Sequence, residues 1–278
     1  MTACAFVPGH VTGFFSAHPH DDPARAGSRG AGLALSDGVR VTVVPAERTT
    51  VRVNGERGGM AAVTNVLARL GVDARVECET ALPVSAGFGV SGACALGTAL
   101  AADAHAPTHP DLRPRTENEL VAIAHAAEVE AGTGLGDVVG QARGGVPLRL
   151  EPGAPPHGRL DGLPGRPEVE YVTFGGLDTA EIITGDTTRL TRAGEAALDR
   201  LLDDPTLDAF MAASRTFARE ADLLTDRVEA TVEDVRSAGG EAAMAMLGRT
   251  VFALGDGLSE AGYDEARSCR VTGGATRL

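Results

Sequence analysis

The stretch "PVSAGFGVSGACALGTALA", Pro83 to Ala101, places Gly87, Gly89 and Gly92 within six positions and carries no charged side chain. Glycines let backbone N–H groups close on anionic oxygens, and a helix beginning near Ser91 adds the partial positive charge of its N-terminus. That is the chemistry of a phosphate cradle. The same letters, G-x-G-x-x-G, also open a dinucleotide-binding unit, which needs a buried parallel strand before the glycines and an acidic residue closing a second strand about 20 residues later. Here Val72 to Glu79 alternates, Pro83 breaks the approach, and "HAPTHPDLRPR" downstream is broken by proline. An NAD- or FAD-dependent oxidoreductase is therefore the weaker reading.

Phosphoryl transfer is mostly positioning and charge neutralisation, so a cradle calls for a magnesium carboxylate and a group that orients or deprotonates the attacking hydroxyl. Asp137 sits in "GTGLGDVVGQARGG", where a carboxylate can accept a substrate proton or cap a helix starting at "VVGQA". Glu128 lies late on a helix that starts at Thr116, as a metal carboxylate or a solvated helix-face acid, and Glu130 is near enough to be confused with it.

Elements must hold these groups in place. Thr116 and Glu119 form a capping-box pattern, and Met60, Val63, Leu67 and Leu70 recur at helical spacing. Val39 to Val44 and Val72 to Glu79 read as strands, and "ACALGTALA" as a helix buried on every face. Glu151 to Pro167 carries five prolines and four glycines, so the domain boundary is expected there. Beyond it come a strand near Val169 to Phe174, helical segments across Arg192 to Ala238 and a strand-like tail. The chain reads as α+β in two halves, residues 1–150 and 168–278, joined by a linker over 151–167.

Composition excludes several chemistries. All 25 basic residues are arginine, against 38 acidic ones, for a net charge of −13. Without lysine there is no Walker A loop, protein-kinase strand lysine or pyridoxal Schiff base. The acidic, lysine-free composition is that of a salt-loving organism, and it disfavours nucleic acid or anionic membrane as partner. No apolar run reaches the ~18 residues of a membrane span, and Met1 to Phe15 lacks the features of a secretory leader, so a cytoplasmic protein is expected. Cys4, Cys78, Cys94 and Cys269 are scattered as reduced, mostly buried thiols.

"PVSAGFGVSGA" resembles the phosphate-binding motif P-x-x-x-G-L-G-S-S-A-A of the kinases named for galactokinase, homoserine kinase, mevalonate kinase and phosphomevalonate kinase. "PGHVTGFF" from Pro8, "GSRGAG" from Gly27 and "TGLGDV" from Thr133 are similar to the archaeal pantoate kinase branch of that family. The resemblance implies a two-domain fold, with a left-handed β-α-β crossover in an ATP-binding N-terminal domain and an α+β C-terminal domain. It implies ATP and Mg²⁺ as cofactors and phosphorylation of the 4-hydroxyl of (R)-pantoate on a route to coenzyme A, and leaves a homodimer open. Homoserine- or mevalonate-like acceptors are the alternative. On the motif, Pro83, Gly87, Gly89, Ser91, Gly92 and Ala93 would bind ATP, Glu128 with Ser91 the magnesium, and Asp137 would be catalytic. His10 and Ser28 match substrate-side motifs. Val90 replaces the first serine of the family's Ser-Ser pair, which leaves Ser91 as the only hydroxyl.

A substrate carboxylate calls for arginine, whose planar guanidinium matches two oxygens. Arg29, in "GSRGAG", and Arg149, in the alternating strand Val146, Leu148, Leu150, are the options. Arg149 points away from those apolar side chains, toward either solvent or the active-site cleft. Val11, Phe14 and Phe15 are placed to meet pantoate's methyl groups.

Overall fold

In the computed structural model, residues 2–105, 113–176 and 185–278 are described; most of the proline-broken loop after Ala104 lies outside them. The chain opens with two long antiparallel strands, β1 (Ala3–His18) and β2 (Gly27–Pro45), whose register shifts between Pro8 and Gly9 and between Thr12 and Phe14. Sequence periodicity found only the last third of β2 and none of β1. Val7 to Ala17 is buried at every position, so no alternation of apolar and polar residues marks β1. Its glycines are points of close approach: a β-carbon at Gly13 would strike Ser214 and Phe210.

β3 (Thr50–Val53), β4 (Glu56–Arg57), α1 (Ala61–Leu70) and β5 (Ala74–Thr80) follow, with β3 and β5 parallel and joined through β4 and α1. Next come α2 (Val90–Asp103), α3 (Glu117–Ala131), α4 (Asp137–Arg143), β6 (Val146–Glu151) and β7 (Arg159–Leu163). The residues expected to form a bare linker thus contribute a strand, paired with β6 from Val146↔Leu163 onward. All five prolines of the stretch fall outside Arg159–Leu163, so none blocks the ladder.

The second half holds β8 (Glu168–Gly176), α5 (Thr188–Asp203), α6 (Leu207–Glu220), α7 (Asp226–Ser237), β9 (Glu241–Ala245), β10 (Gly248–Leu254), α8 (Gly257–Glu260), β11 (Arg267–Arg270) and β12 (Thr276–Arg277). One sheet runs β12-β1-β2-β5-β3-β4 with β6 and β7 attached at β2, and the other runs β11-β8-β10-β9. The chain end therefore returns to the first sheet, with Ala5 paired to Arg277 and bridges at Leu35↔Val271 and Gly144↔Gly273.

α2 is the central helix. Of its residues only Ser91 escapes full burial, because β1 and β2 cover one side and α1 and α3 the other. Gly97 lets it approach the sheet, since a β-carbon there would strike Val41. α3 starts with the complete capping box: Thr116 Oγ1 accepts from the Glu119 N–H, and Glu119 Oε2 accepts from the Thr116 N–H at 2.8 Å. No helix among the described residues is long and apolar enough to cross a membrane.

Candidate active site

A cavity of about 370 Å³ opens where the loop before α2, the loop between α3 and α4, the strands β1, β2 and β6, and the β9–β10 turn meet. Both halves of the chain line it: Met246 and Leu247 face the glycine loop. Gly87 (φ 89°) and Gly89 (φ 61°) lie in the left-handed region, which turns the chain sharply into α2. The first N–H groups of that helix, from Val90 to Gly92, have no partner within it. Gly87, Gly89 and Ser91 line the cavity, whereas Pro83, Gly92 and Ala93 do not. Ala93 is in the core, and Gly92 lies beneath Glu128. The strand before the loop, β5, is parallel to the short β3 but antiparallel to β2, and the next described element after α2 is α3 rather than the second parallel strand that a dinucleotide fingerprint requires.

Glu128 sits in the last turn of α3, before its C-cap Gly132, and is 1% exposed. It is wedged between two glycines, for a β-carbon at Gly92 would lie 2.9 Å and one at Gly134 2.6 Å from its Oε1. Neither carboxylate oxygen has a hydrogen-bond partner among the described residues. Burial first, and the Asp137 charge second, push its pKa well above the usual carboxylate range, and the nearby Val138 N–H offsets only part of this. Glu130, by contrast, is on the surface, paired with Arg69 at 2.5 Å.

Asp137 is the first residue of α4, whose N-cap is Gly136, so its side chain does not cap the helix. Its Oδ1 accepts from His10 Nδ1 at 2.8 Å, and a quarter of the side chain is exposed to the cavity. Burial alone would raise its pKa, but the His10 hydrogen bond and the Arg149 charge outweigh it and hold the carboxyl below its ordinary value. His10 itself is 1% exposed, does not line the cavity, and has its pKa lowered chiefly by burial. It is a neutral imidazole with Nδ1–H on Asp137. Its Nε2 rests without a partner against Gly140, where a β-carbon would come within 2.7 Å.

Ser28 and Arg149 both line the cavity, and Arg149 Nε donates to Ser28 Oγ at 3.1 Å. Arg149 is 1% exposed and its Nη1 has no partner. Burial lowers its pKa to about 10, which leaves it charged at neutral pH, and the Asp137 charge counteracts part of that shift. Arg29 is not brought to the cavity. Successive residues of a strand face opposite sides, so Ser28 points in while Arg29 Nε donates to Leu150 O at 2.9 Å. Of the three side chains expected to meet acceptor methyls, Phe15 lines the cavity, whereas Val11 and Phe14 are core residues with 0% exposure.

Sequence reading missed Thr12, Thr133, Gln141, Met246 and Leu247. Thr133 Oγ1 accepts from Ser91 Oγ at 3.0 Å, and Gln141 Nε2 donates to Gly89 O at 2.9 Å. Thr12, Thr133 and Gln141 lie inside the quoted stretches, but their roles, like those of Met246 and Leu247, come from the tertiary arrangement. Among the described residues there is no group of three or more His, Cys, Asp or Glu side chains able to hold a metal. The orphaned oxygens of Glu128 nevertheless fit magnesium, which commonly takes one or two carboxylates and completes its octahedron with phosphate and water.

Residues 58–145 match the family profile described as the GHMP kinases N terminal domain. The chain is 35% identical to the pantoate kinase of Thermococcus kodakarensis, over 91% of this chain and 88% of that one. It is 32% identical to the pantoate kinase of Methanospirillum hungatei, over 90% of this chain and 86% of that one. A solved structure described as a phosphotransferase related to the CoA biosynthesis pathway superimposes with a TM-score of 0.88 at 29% identity, covering 100% of this chain and 99% of that one. The homoserine kinase of Cytophaga hutchinsonii shares the fold at a TM-score of 0.70 and 16% identity, covering 100% and 97%. The chain belongs to the GHMP kinases, within their pantoate kinase branch.

Proposed function

We propose that this chain transfers the γ-phosphoryl group of ATP to the 4-hydroxyl of (R)-pantoate. The observation that carries the acceptor assignment is Arg149: a buried, charged guanidinium with an unpartnered N–H, set beside Ser28 in the same cavity as Asp137. A buried cation of this kind is matched by a small carboxylate. The pantoate kinases that share about a third of its sequence support the same reading.

In this reading the N–H groups at the start of α2 and the backbone of Gly87 and Gly89 bind the ATP phosphates. Glu128, with the Ser91 hydroxyl, would hold Mg²⁺, which when bound neutralises phosphate charge during transfer. Arg149 and Ser28 fix the acceptor carboxylate, and Phe15 packs against its methyl groups. His10 keeps Asp137 oriented through Nδ1–H, and the second carboxylate oxygen takes the hydroxyl proton as the new P–O bond forms. Residues 1–150 then carry the nucleotide and acceptor groups, and residues 168–278 close the cavity with Met246 and Leu247.

The test is direct. Protein, Mg-ATP and pantoate are incubated in high salt, as the acidic, lysine-free composition requires, and followed by phosphorus NMR, with homoserine and mevalonate in parallel. ADP and a phosphomonoester formed with pantoate are expected. Preference for homoserine or mevalonate would overturn the acceptor, and no ADP with any acceptor would overturn the kinase reading.

A further inference from the structure

Gln141 lies one turn after Asp137 on α4, so both side chains project from the helix face turned toward the start of α2. It is wholly buried, and half of its amide is used: Nε2 donates to Gly89 O at 2.9 Å, whereas Oε1 has no partner among the described residues. A carbonyl can only accept, so the bond to Gly89 fixes which way round the amide stands. A buried amide oxygen left without a donor is costly and calls for an explanation.

Oε1 has company. A β-carbon at Gly92 would lie 2.9 and 3.0 Å from the two Glu128 oxygens and 3.1 Å from Gln141 Oε1. Three unpartnered oxygens from two helices thus converge on the bare face of one glycine in the first turn of α2. No arginine fills the space, since the nearby guanidinium of Arg149 is turned to Ser28. An all-oxygen set is what a hard, hydrated cation takes, and side chains that bond to its water shell tune its affinity.

We propose that Gln141 belongs to the cation site: its Oε1 accepts a hydrogen bond from water bound to the divalent cation carried by Glu128, while Nε2 ties the same site to the phosphate loop at Gly89. Glu128 lines the cavity and Gln141 does not, so the amide oxygen is assigned to the water shell and the carboxylate to the ion. The inference rests on the reading of Glu128 as the cation's carboxylate.

Two variants separate the halves of the amide: Gln141→Met removes both, and Gln141→Glu keeps an acceptor oxygen but loses the donor. Mn²⁺ affinity is measured by electron paramagnetic resonance at saturating non-hydrolysable ATP analogue, with Glu128→Gln as reference. Gln141→Met is expected to weaken Mn²⁺ roughly tenfold or more, the scale for outer-shell partners, and Gln141→Glu to hold or tighten it. Unchanged Mn²⁺ affinity in Gln141→Met overturns the inference. So does a loss in Gln141→Glu, which would show that the Gly89 bond alone matters; this arm decides even if the methionine variant does not fold. Should Glu128→Gln leave Mn²⁺ affinity untouched, the reading of Glu128 itself falls.

Discussion

At the scale of single residues, the cavity sets ionised and neutral groups side by side and leaves each able to act. Asp137 is held in its charged form by His10 and Arg149 despite burial, and His10 is kept neutral mainly by burial. Asp137→Asn should therefore retain ATP and acceptor binding but lose turnover by roughly 10²-fold or more, the scale of a positioned base; steady-state kinetics near the wild-type rate would return Asp137 to a structural role. The pH profile carries a second test. Because the folded-state pKa of Asp137 is depressed, its carboxylate stays ionised above its ordinary value of 3.8, and kcat/KM should show no acid limb near pH 6. A limb there that persists at saturating Mg²⁺, where the raised pKa of Glu128 is masked by the ion, would make His10 the titrating acceptor. Arg149→Ala should raise the pantoate KM roughly tenfold to a hundredfold with ATP affinity almost intact, because a charge-assisted bond contributes about 1.5–3 kcal/mol. Arg149→Lys should recover only part of this, since an ammonium lacks the guanidinium fork. Arg29→Ala, whose side chain bonds Leu150 O outside the cavity, should leave that KM near the wild-type value.

At the scale of elements, α3 shows how a local signal governs the site. The helix carries Glu128 at its far end and is started by Thr116, whose hydroxyl accepts from the Glu119 N–H. Thr116→Ala should cost about 1 kcal/mol in thermal or denaturant unfolding. Glu119 also bonds the Arg113 guanidinium, and that bond, followed by the Thr116 N–H, holds its pKa at about 2. A depressed carboxylate contributes stability above its unfolded value of 4.5 and loses it as pH falls toward 2. The difference in melting temperature between wild type and Glu119→Gln should accordingly be constant above pH ~5 and shrink below it. The pair is exposed, so the effect is small and falls with salt. This element was legible because its cap and its spacing lie within a few residues. β1 and most of β2 were not, since strands buried on both faces lose the period of two and their glycines look like turns. β7 was hidden by its flanking prolines, although none interrupts it.

At the scale of the whole molecule, the site depends on chain segments that meet only after folding. Gly87, Gly89, Ser91, Glu128 and Asp137 stand near one another in the sequence and share one cavity, but the residues that hold the glycine loop from behind come from the β9–β10 hairpin some 160 positions later. Thr250 Oγ1 donates to Ala86 O at 2.7 Å, and Gly248 packs so tightly that a β-carbon would strike Ala86 O and lie 2.8 Å from Gly87 N. Nothing at Gly248 in the sequence signals a nucleotide site, because its contribution is the absence of a side chain at a close approach of two backbones. Gly248→Ala must therefore displace either the hairpin or the loop. β10 is paired on both sides, by β8 and β9, whereas the glycine loop belongs to neither sheet, so the loop should yield. ATP-analogue affinity, measured by calorimetry, should fall roughly tenfold to a hundredfold, the scale set by a displacement of about 1 Å at a binding group. The pantoate KM at saturating ATP should change little, because Arg149 and Ser28 stand on β6 and β2, away from the contact. A folded Gly248→Ala protein with wild-type nucleotide affinity would show that the loop keeps its shape without the second half, and that the C-terminal residues only cover the cavity.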